Sequence, residues 1–479
     1  MLAAAGTAAT WRDKRGMAKP RTAPAPPAPQ KMVLIGAGSA MFTQGIVIDW
    51  MQQKLPGEWE IALVDINHVI LEATDKLVRR YMLAADKPAK ITSTVERKDV
   101  LPGATIVITT IGVGSRRAWE QDVFVPRRFG INQPVGDSVM PGGVSRAMRM
   151  IPPMLDIATD VERLCPDAWF INYSNPMTAV VRALRRETNL PVFGLCMGTE
   201  ETVHFLTGIA GVPREEVTAR WAGVNHLTWI YELRREGKDL WPVIRKKLAE
   251  MRANGIDHDS WANAWGQARN PGMLTHPFSW ELFAEFGAFP SPMDRHTTEY
   301  FPARFPGGKY YGSVLGVDAY SFERTIASGD KIYDDTLALA KVDGPIDEER
   351  LKSTGGEHMQ TLEILDSFWH DRRRMYAANL PNNGCVSNLP KDAVLEVPAL
   401  ATAGGMVAPP MGELPIPLTS VLLRRLAAVE ATVEAAITGN RKMFTEALIL
   451  DGGVSDYATA EKLMEALIEA QCVHLPQFC

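Results

Sequence analysis

One cysteine and one histidine of this 479-residue chain follow apolar stretches that are typical of β-strands. Cys196 comes after residues 191–195, and His226 comes after residues 218–224. A thiolate and an imidazole bind divalent transition metals, and two protein ligands leave positions open for water and substrate oxygens. The pair therefore predicts a catalytic metal site and not a structural zinc site, which uses four protein ligands. Taken singly, Cys196 is more often a small buried apolar side chain, and His226 a hydrogen-bonded loop histidine.

Asparagines occupy the same kind of position in the sequence. Asn172 and Asn175 follow the apolar run 168–171, and Asn225 directly precedes His226. In a parallel α/β sheet, ligands bind outside the carboxyl ends of the strands. If the three apolar runs are consecutive strands of such a sheet, their ends bring these amides and the metal pair to one rim. The amides at that rim suit a polar substrate.

A strand, a glycine turn, a helix and a second strand follow one another after residue 30, and the cofactor-binding candidates in this unit are Gly36, Gly38, Ser39 and Asp65. The glycines allow the backbone to approach a pyrophosphate closely, and a helix N-terminus favours its negative charge. Asp65 ends the second strand, where an acid binds the adenosine ribose, which favours NAD over NADP. Met41 stands where the usual fingerprint has its third glycine, so an ordinary strand-to-helix turn is the alternative.

The next predicted strand, residues 105–110, runs into another glycine pair followed by two arginines. Gly112 suits close backbone approach, here to the nicotinamide half of the cofactor. Arg117, beside Arg116, is a candidate to hold an anion or a sugar hydroxyl. Solvated surface charges are the alternative for both arginines.

Two later segments combine acids with other reactive side chains. Asp137 lies in a tight loop before a helix predicted at residues 144–155, where a turn or N-cap aspartate is the alternative. Residues 290–300 contain Asp294, Arg295, His296 and Tyr300. If this segment is extended, Asp294, His296 and Tyr300 share one side, and Arg295 faces the other.

Taken together and in this order, segments 35–39, 136–143, 170–177, 194–198, 223–226 and 290–300 resemble glycoside hydrolase family 4. That family is an exception to glycosidases that use two carboxylates. The resemblance runs from about Lys31 to the low 450s. Residues 376–398 are similar to the branch of the family that acts on unphosphorylated hexosides and uronides. Asn379 and Asn382 are then candidate sugar contacts, with turn asparagines as the alternative.

The resemblance implies an enzyme that uses NAD and a divalent metal, usually Mn²⁺, with Cys196 and His226 as metal ligands. NAD takes a hydride from C3 of the sugar, a base removes the C2 proton, and the C1–O bond breaks by elimination before water adds. Asp137 and Asp294 are the expected acid–base pair, with Tyr300 as reserve base. Relatives often carry Asp, His or Asn where this chain has Met197, which has no proton to give.

The implied substrate-binding residues are Arg117, Asn175, Asn225, Arg295 and His296, and Asn172 joins the cofactor-binding set. The expected substrate is an α-galactoside, an α-glucoside or a uronide. One alternative is an acidic sugar such as a sulfoquinovoside or glucuronide, bound through arginines. A plain NAD-dependent dehydrogenase is another alternative, and a dinucleotide-sensing protein without activity is the third.

The expected fold class is α/β, with an N-terminal Rossmann-like doubly wound sheet and a C-terminal mixed α+β substrate domain. The expected divisions are a disordered tail at residues 1–30, an NAD-binding domain at 31–200, and a substrate, metal and oligomerisation domain at 201–479. The net charge of −5 gives no reason to expect nucleic acid or membrane as a partner. Five scattered cysteines argue against a disulfide framework and for the cytoplasm. A homodimer or homotetramer is expected.

Overall fold

The computed structural model of the chain describes residues 29–479 except 40, 41, 54, 56, 88, 263–269, 271, 345, 353–357 and 359. Nearly all of the predicted tail, and Met41 of the glycine turn, therefore lie outside the described residues. Within the part of the chain that is described, no helix has the length and apolar character needed to cross a bilayer.

The strands are numbered in chain order: β1 Gln30–Ile35, β2 Trp59–Val64, β3 Lys90–Thr94, β4 Ile106–Thr109, β5 Trp169–Asn172, β6 Val192–Gly194, β7 Val217–Val224, β8 Leu227–Arg235, β9 Lys238–Asp239, β10 Phe289–Ser291, β11 Lys309–Tyr310, β12 Ser313–Val314, β13 Arg374–Pro381, β14 Val394–Thr402 and β15 Gly405–Val407.

The α-helices are α1 Thr43–Gln52, α2 His68–Ala84, α3 Ser115–Arg127, α4 Met140–Leu164, α5 Met177–Glu187, α6 Gly198–Ala210, α7 Trp241–Asn254, α8 Pro277–Phe286, α9 Asp294–Thr297, α10 Phe322–Lys341, α11 Glu348–Leu351, α12 Gln360–His370, α13 Ile416–Thr438, α14 Arg441–Asp451 and α15 Tyr457–Gln471. Short 3₁₀ helices include Thr298–Tyr300 and Pro302–Arg304.

The first six strands form a parallel sheet in the order β3-β2-β1-β4-β5-β6. This is the doubly wound order of dinucleotide-binding folds, so the predicted Rossmann-like sheet is confirmed. Strand β1 shows why the sheet is covered on both faces. Val33 and Ile35 pack into one core with α4, whereas Met32 and Leu34 pack into another with α1, α2 and α12. Successive side chains of a strand point to opposite faces, and here both faces are apolar.

The sheet continues without a break into the C-terminal half, in the order β6-β13-β14-β7-β8-β10. All of these later pairings are antiparallel. The predicted mixed α+β character of the C-terminal half is therefore confirmed. The shared sheet places the rim of the N-terminal strands beside the strands that follow residue 211.

The prediction that β5, β6 and β7 are consecutive parallel strands is wrong for β7. The hairpin β13–β14 lies between β6 and β7, and β7 runs in the opposite direction to β6. One row of paired residues nevertheless crosses the sheet through Gly194, Asn379, Glu396 and Gly223. β6 ends at this row, and β7, which runs in the opposite direction, ends one residue beyond it. The two strand ends therefore lie at the same level of the sheet.

Residues 290–300 are not extended, so the condition under which Asp294, His296 and Tyr300 share one side is not met. Only Phe289–Ser291 is a strand, and Asp294–Thr297 and Thr298–Tyr300 are short helices. Side chains therefore follow a helical period, so alternate residues do not share one side. Near the C-terminus, Cys472 and Cys479 form a disulfide, a single bond that the sequence did not predict.

Candidate functional site

Cys196 and His226 lie together, as the sequence predicts. Cys196 is two residues beyond β6, and His226 belongs to the two-residue turn between β7 and β8, with a φ of 67°. The Cys196 Sγ atom is 3.7 Å from the His226 Nε2 atom, and both residues are buried. Metal–sulfur and metal–nitrogen distances of about 2.3 and 2.1 Å put two tetrahedral donors about 3.6 Å apart. The observed separation therefore fits two ligands of one ion.

The other ring nitrogen of His226 faces the loop that precedes α4. Its Nδ1 atom is 2.9 Å from the Ser138 hydroxyl and 3.7 Å from Asp137 Oδ1. The Ser138 hydroxyl also donates to Asp137 Oδ1 at 2.8 Å. A histidine that binds a metal generally presents its second nitrogen to such an acceptor, which fixes the ring and its tautomer. This arrangement leaves the Nε2 lone pair directed towards Cys196.

The charges of this cluster favour an ionised Asp137. Burial by itself raises the pKa of Asp137, but the hydrogen bond and charge of His226, with the charges of His296 and Arg146, outweigh it and lower that pKa. Burial lowers the pKa of His226, yet its hydrogen bonds to Asp137 and Cys196 raise it well above the usual value. Asp137 and His226 thus stabilise each other's charged forms.

His296 lies against His226 with the two ring centres 4.0 Å apart. Burial, followed by the charge of His226, lowers the pKa of His296 well below its usual value. Its Nδ1 atom has no hydrogen-bond partner among the described residues. Donor atoms of Asp137, His226 and His296 all lie within 4.8 Å of one another. Asp137, His226 and His296 are therefore one candidate ligand set, and Cys196 with the Nε2 atom of His226 is the other.

The amides of the rim divide into two kinds. Asn172 is fully buried, and its side chain binds Thr109, Ser174 and Met177 within the protein. Asn175 donates to Asp137 Oδ2 at 2.9 Å, but its Oδ1 atom is buried without a partner among the described residues. Asn225 Oδ1 is likewise buried without a hydrogen-bond partner among the described residues. Asn175 and Asn225 therefore present acceptors to the site, whereas Asn172 shapes the turn that carries Asn175.

The two remaining catalytic candidates lie in different places. The Tyr300 hydroxyl donates to the Asn225 carbonyl oxygen at 2.6 Å, next to His226. Asp294 is fully buried and accepts hydrogen bonds from the Phe278 and Ser279 amides at 2.9 and 2.7 Å. Amide groups in the first turn of a helix have no carbonyl partner within the helix, and an acid can accept their hydrogen bonds. Asp294 therefore caps the N-terminus of α8.

The glycine turn after β1 has the geometry expected of a pyrophosphate site. Gly36 has a φ of 93°, and a Cβ there would lie 2.8 Å from the Ile111 nitrogen. A Cβ on Gly38 would collide with Ile70. Asp65 accepts from the Gly38 amide at 2.8 Å, at the end of β2. The Ser39 amide N–H donates to the Gly36 carbonyl oxygen, which closes the turn. Gly112 lies three residues after β4, the strand next to β1.

The predicted arginine contacts lie mostly away from this cluster. Arg117 is exposed and pairs with Asp330 at 2.6 Å, as Arg116 does at 2.5 Å. Arg295 donates to Thr325 at 3.3 Å. Arg146 of α4 reaches the rim instead, since its Nε donates to the Asn175 carbonyl oxygen at 3.1 Å.

Three residues of the site were not predicted from the sequence. Ser138 orients His226, Arg425 lies 5.2 Å from the ring centre of Tyr300, and Glu396 binds Asn225. Ser138 follows Asp137 directly, so its position in the loop was a usable signal. Glu396 lies in segment 376–398, which resembles the family, but nothing in that segment indicates its role, and Arg425 is distant in sequence from the strand ends that form the site.

Comparison with known proteins gives one consistent result. Residues 31–211 match the family 4 glycosyl hydrolases, and residues 221–454 match the C-terminal domain of the same family. The chain is 28% identical to an alpha-galactosidase of Bacillus subtilis, over 92% of this chain and 96% of the relative. It is 31% identical to an alpha-galacturonidase of Thermoanaerobacterium saccharolyticum, over 91% and 94% of the two chains.

Among solved structures, the chain superimposes on a 6-phospho-alpha-glucosidase from gut microorganisms in complex with NAD and Mn²⁺. The TM-score is 0.76, the identity is 18%, and the match covers 93% of this chain and 99% of the other. At that identity the similarity shows a shared fold.

Proposed function

The chain belongs to family 4 of the glycosyl hydrolases, and from its site we propose that it hydrolyses an α-glycosidic bond of an unphosphorylated hexoside. The proposed cofactors are NAD and a divalent transition metal, with Mn²⁺ the first choice. One observation carries the proposal: a buried thiol and imidazole lie 3.7 Å apart beside a carboxylate. Two soft ligands with open positions suit catalysis on a substrate that brings its own oxygens.

The residues present fit both cofactors. Cys196 and His226 would hold the metal, with Asp137 and Ser138 behind His226. The turn at Gly36 and Gly38 would take the pyrophosphate, and Asp65 the adenosine ribose. When bound, NAD accepts a hydride from the sugar and the metal polarises the carbonyl that results.

The chain's own residues would hold the sugar and move its protons. Asn175 and Asn225 accept hydrogen bonds from sugar hydroxyls through their unpartnered oxygens. We propose Tyr300 as the base for the C2 proton, because its hydroxyl lies on the Asn225 carbonyl, one residue from His226. Burial raises the pKa of Tyr300 well above its usual value, and the charge of Arg425 opposes that rise. Arg425 offsets only part of this rise, so the phenolate that a base requires would also need the positive charge of the bound metal.

Asp137 is the second titratable residue of the proposed mechanism. Its lowered pKa keeps it ionised, with Asn175 and Ser138 donating to its two oxygens. It therefore fixes both the amide and the histidine beside the reacting sugar. Asp294 is not part of the proposal, because three donors of the first turn of α8 and the Tyr310 hydroxyl already bind it.

Met197 itself supplies no acid at the position where relatives often carry one. The Met197 sulfur accepts from the Gln360 amide at 2.7 Å, and neither group gives up a proton in water. We propose that the leaving group departs without a dedicated acid on the chain. Aryl glycosides with acidic leaving groups should then be hydrolysed faster than alkyl glycosides.

An acidic sugar is the second candidate, and Arg146 is the observation that favours it. Four other arginines near the sheet edge bind protein groups: Arg116 and Arg117 bind Asp330, Arg149 binds Asp122, and Arg295 binds Thr325. Arg146 also binds a protein group, the Asn175 carbonyl oxygen, but this contact lies at the rim, where its charge helps to lower the pKa of Asp137. A guanidinium at the rim can pair with the carboxylate of a uronide.

A screen of 4-nitrophenyl α-glycosides tests the proposal. Galactoside, glucoside, galacturonide, glucuronide and sulfoquinovoside should each be assayed with NAD, Mn²⁺ and a thiol reductant. Hydrolysis of one of them without accumulation of NADH is the expected result. NADH formed in proportion to substrate would instead identify a dehydrogenase, and NAD binding with no turnover of any substrate would contradict the proposed activity.

A further inference from the structure

A buried carboxylate lies beneath the proposed sugar site. Glu396 is the third residue of β14, paired with Asn379 on one side and Gly223 on the other, and is 2% exposed. Residues directly opposite each other in an antiparallel pair point to the same face. Glu396 and Asn379 are therefore neighbours on one face of the sheet. A buried glutamate is rare unless it is fully hydrogen-bonded.

Three side chains donate to this carboxylate. The Thr199 hydroxyl binds Oε1, and Oε2 accepts from the Asn225 and Asn379 amides at 2.9 and 3.1 Å. In both hydrogen bonds the amide nitrogen faces Glu396, so each amide oxygen faces away from it. The chemistry of the carboxylate thus fixes which end of each amide faces away from it.

The far ends of both amides are unused by the protein. Asn225 Oδ1 and Asn379 Oδ1 are buried without a hydrogen-bond partner among the described residues. Asn225 adjoins His226, and Asn379 is paired with Gly194, two residues before Cys196. The two oxygens therefore belong to the neighbourhood of the metal pair. A buried acceptor without a partner is costly unless a ligand or water satisfies it.

We infer that Glu396 is a positioning residue that sets Asn225 and Asn379 as a fixed pair of hydrogen-bond acceptors for two sugar hydroxyls. The inference rests on the proposed function. Because neither amide can turn its nitrogen outward, this part of the site binds groups that donate. It disfavours a carboxylate, which would face two amide oxygens above a buried negative charge. The acidic group of a uronide would then lie on the Arg146 side of the site.

Asn382, in the loop of the same hairpin, differs from Asn379 because its side chain binds backbone groups of that loop. Its amide donates to the carbonyls of Val386, Leu389 and Pro390, and its oxygen accepts from the Val386 amide. Every polar group of its side chain is used within the loop. It is buried like Asn379, which makes it a matched control.

The test compares wild type with Glu396→Met, Glu396→Gln, Asn379→Leu and Asn382→Leu. The substrate is the 4-nitrophenyl glycoside that wild type hydrolyses, together with its 2-, 4- and 6-deoxy derivatives. The measured quantity is the loss of kcat/KM on removal of each hydroxyl. Thermal unfolding and NAD affinity show which variants are folded.

In wild type, removal of either bound hydroxyl should lower kcat/KM by about tenfold or more, because a buried acceptor loses its partner. Glu396→Met leaves the two amides free to turn. The loss of kcat/KM on removal of either hydroxyl should therefore shrink to about threefold or less. Glu396→Gln keeps an oxygen that can face the two amides and should retain the wild-type losses. Asn379→Leu should remove the loss for one hydroxyl only, which keeps the test decisive if Glu396→Met does not fold. Asn382→Leu should retain both losses even where it lowers the unfolding temperature.

Equal losses in wild type, Glu396→Met and Asn379→Leu would overturn the inference while leaving the glycosidase activity established. Absence of turnover by wild type on every glycoside would overturn the proposed function, and the inference with it.

Discussion

Removal of the Ser138 hydroxyl should weaken Mn²⁺ binding although Ser138 need not touch the ion. The hydroxyl lies 2.9 Å from His226 Nδ1 and also binds Asp137. Without it, the imidazole loses its nearest partner and the next acceptor is Asp137 Oδ1 at 3.7 Å. Loss of such a partner of a metal-binding histidine typically costs ten- to a hundredfold in affinity. Ser138→Ala should therefore raise the Kd for Mn²⁺ by that factor, about 1.4 to 2.7 kcal/mol.

The assay is a titration of the metal-free enzyme with Mn²⁺, in which free Mn²⁺ is measured by electron paramagnetic resonance. Ser367→Ala is the matched control, since Ser367 is fully buried and its hydroxyl binds Tyr376 at 3.1 Å, away from the site. The control should bind Mn²⁺ like wild type. A Ser138→Ala enzyme with wild-type affinity, beside a His226→Ala enzyme that binds no Mn²⁺, would refute the role given to Ser138.

Three further predictions concern the metal, the cofactor and the loop that carries Asp137. Cys196→Ser and His226→Ala should each abolish metal-dependent turnover while NAD binding, followed by fluorescence, survives; full activity of both variants would count against the metal site. Asp65→Ala should weaken NAD at least tenfold in the same binding assay with an unchanged circular dichroism spectrum, and better use of NADP than NAD by wild type would contradict the ribose contact. Glu299 accepts hydrogen bonds from the Val135 and Gly136 amides of that loop. Burial and the charge of Asp137 raise the pKa of Glu299 to about 8, so the folded state holds a proton that the unfolded state releases near its ordinary pKa. Stability should then fall as pH rises from about 4.5 to 8 by a few kcal/mol, and Glu299→Gln should remove much of that fall in urea unfolding at pH 5 and 9; equal pH dependence in both proteins would show another cause.

The N-terminal half could be predicted from the sequence because its strands are apolar on both faces. β1, β2, β4, β5 and β6 all lie at the predicted runs, and the glycine turn follows β1. Such runs are local signals, and their order along the chain implies a parallel sheet. The helix predicted at residues 144–155 is real but longer, from Met140 to Leu164, since caps are weaker signals than apolar periodicity.

The proximity of Cys196 and His226 was predicted from the sequence, but the reasoning about the sheet topology failed for β7. Cys196 and His226 meet because the β13–β14 hairpin, almost two hundred residues later, enters the sheet between their strands. No feature near Cys196 or His226 indicates that insertion. Sequence order alone favours adjacent strands, which is the usual case and was not the case here.

Asp294 and Glu396 show why individual roles were harder to predict than the region. Asp294 stands among reactive side chains in sequence, yet its partners are amides at the start of α8, which only folding brings near. Glu396 lies between two apolar residues, a pattern typical of a strand with one exposed face, and is buried because β13 and β7 flank it. Both cases depend on contacts between distant segments.

Hydrolysis in heavy water tests the central proposal most directly. If the sugar is oxidised at C3 before the C1–O bond breaks, its C2 hydrogen leaves as a proton that the base exchanges with solvent. Nuclear magnetic resonance of the released sugar should then show deuterium at C2, only with NAD and Mn²⁺ present and without net NADH. A sugar without deuterium at C2, released at full rate by enzyme free of NAD, would contradict the proposed mechanism.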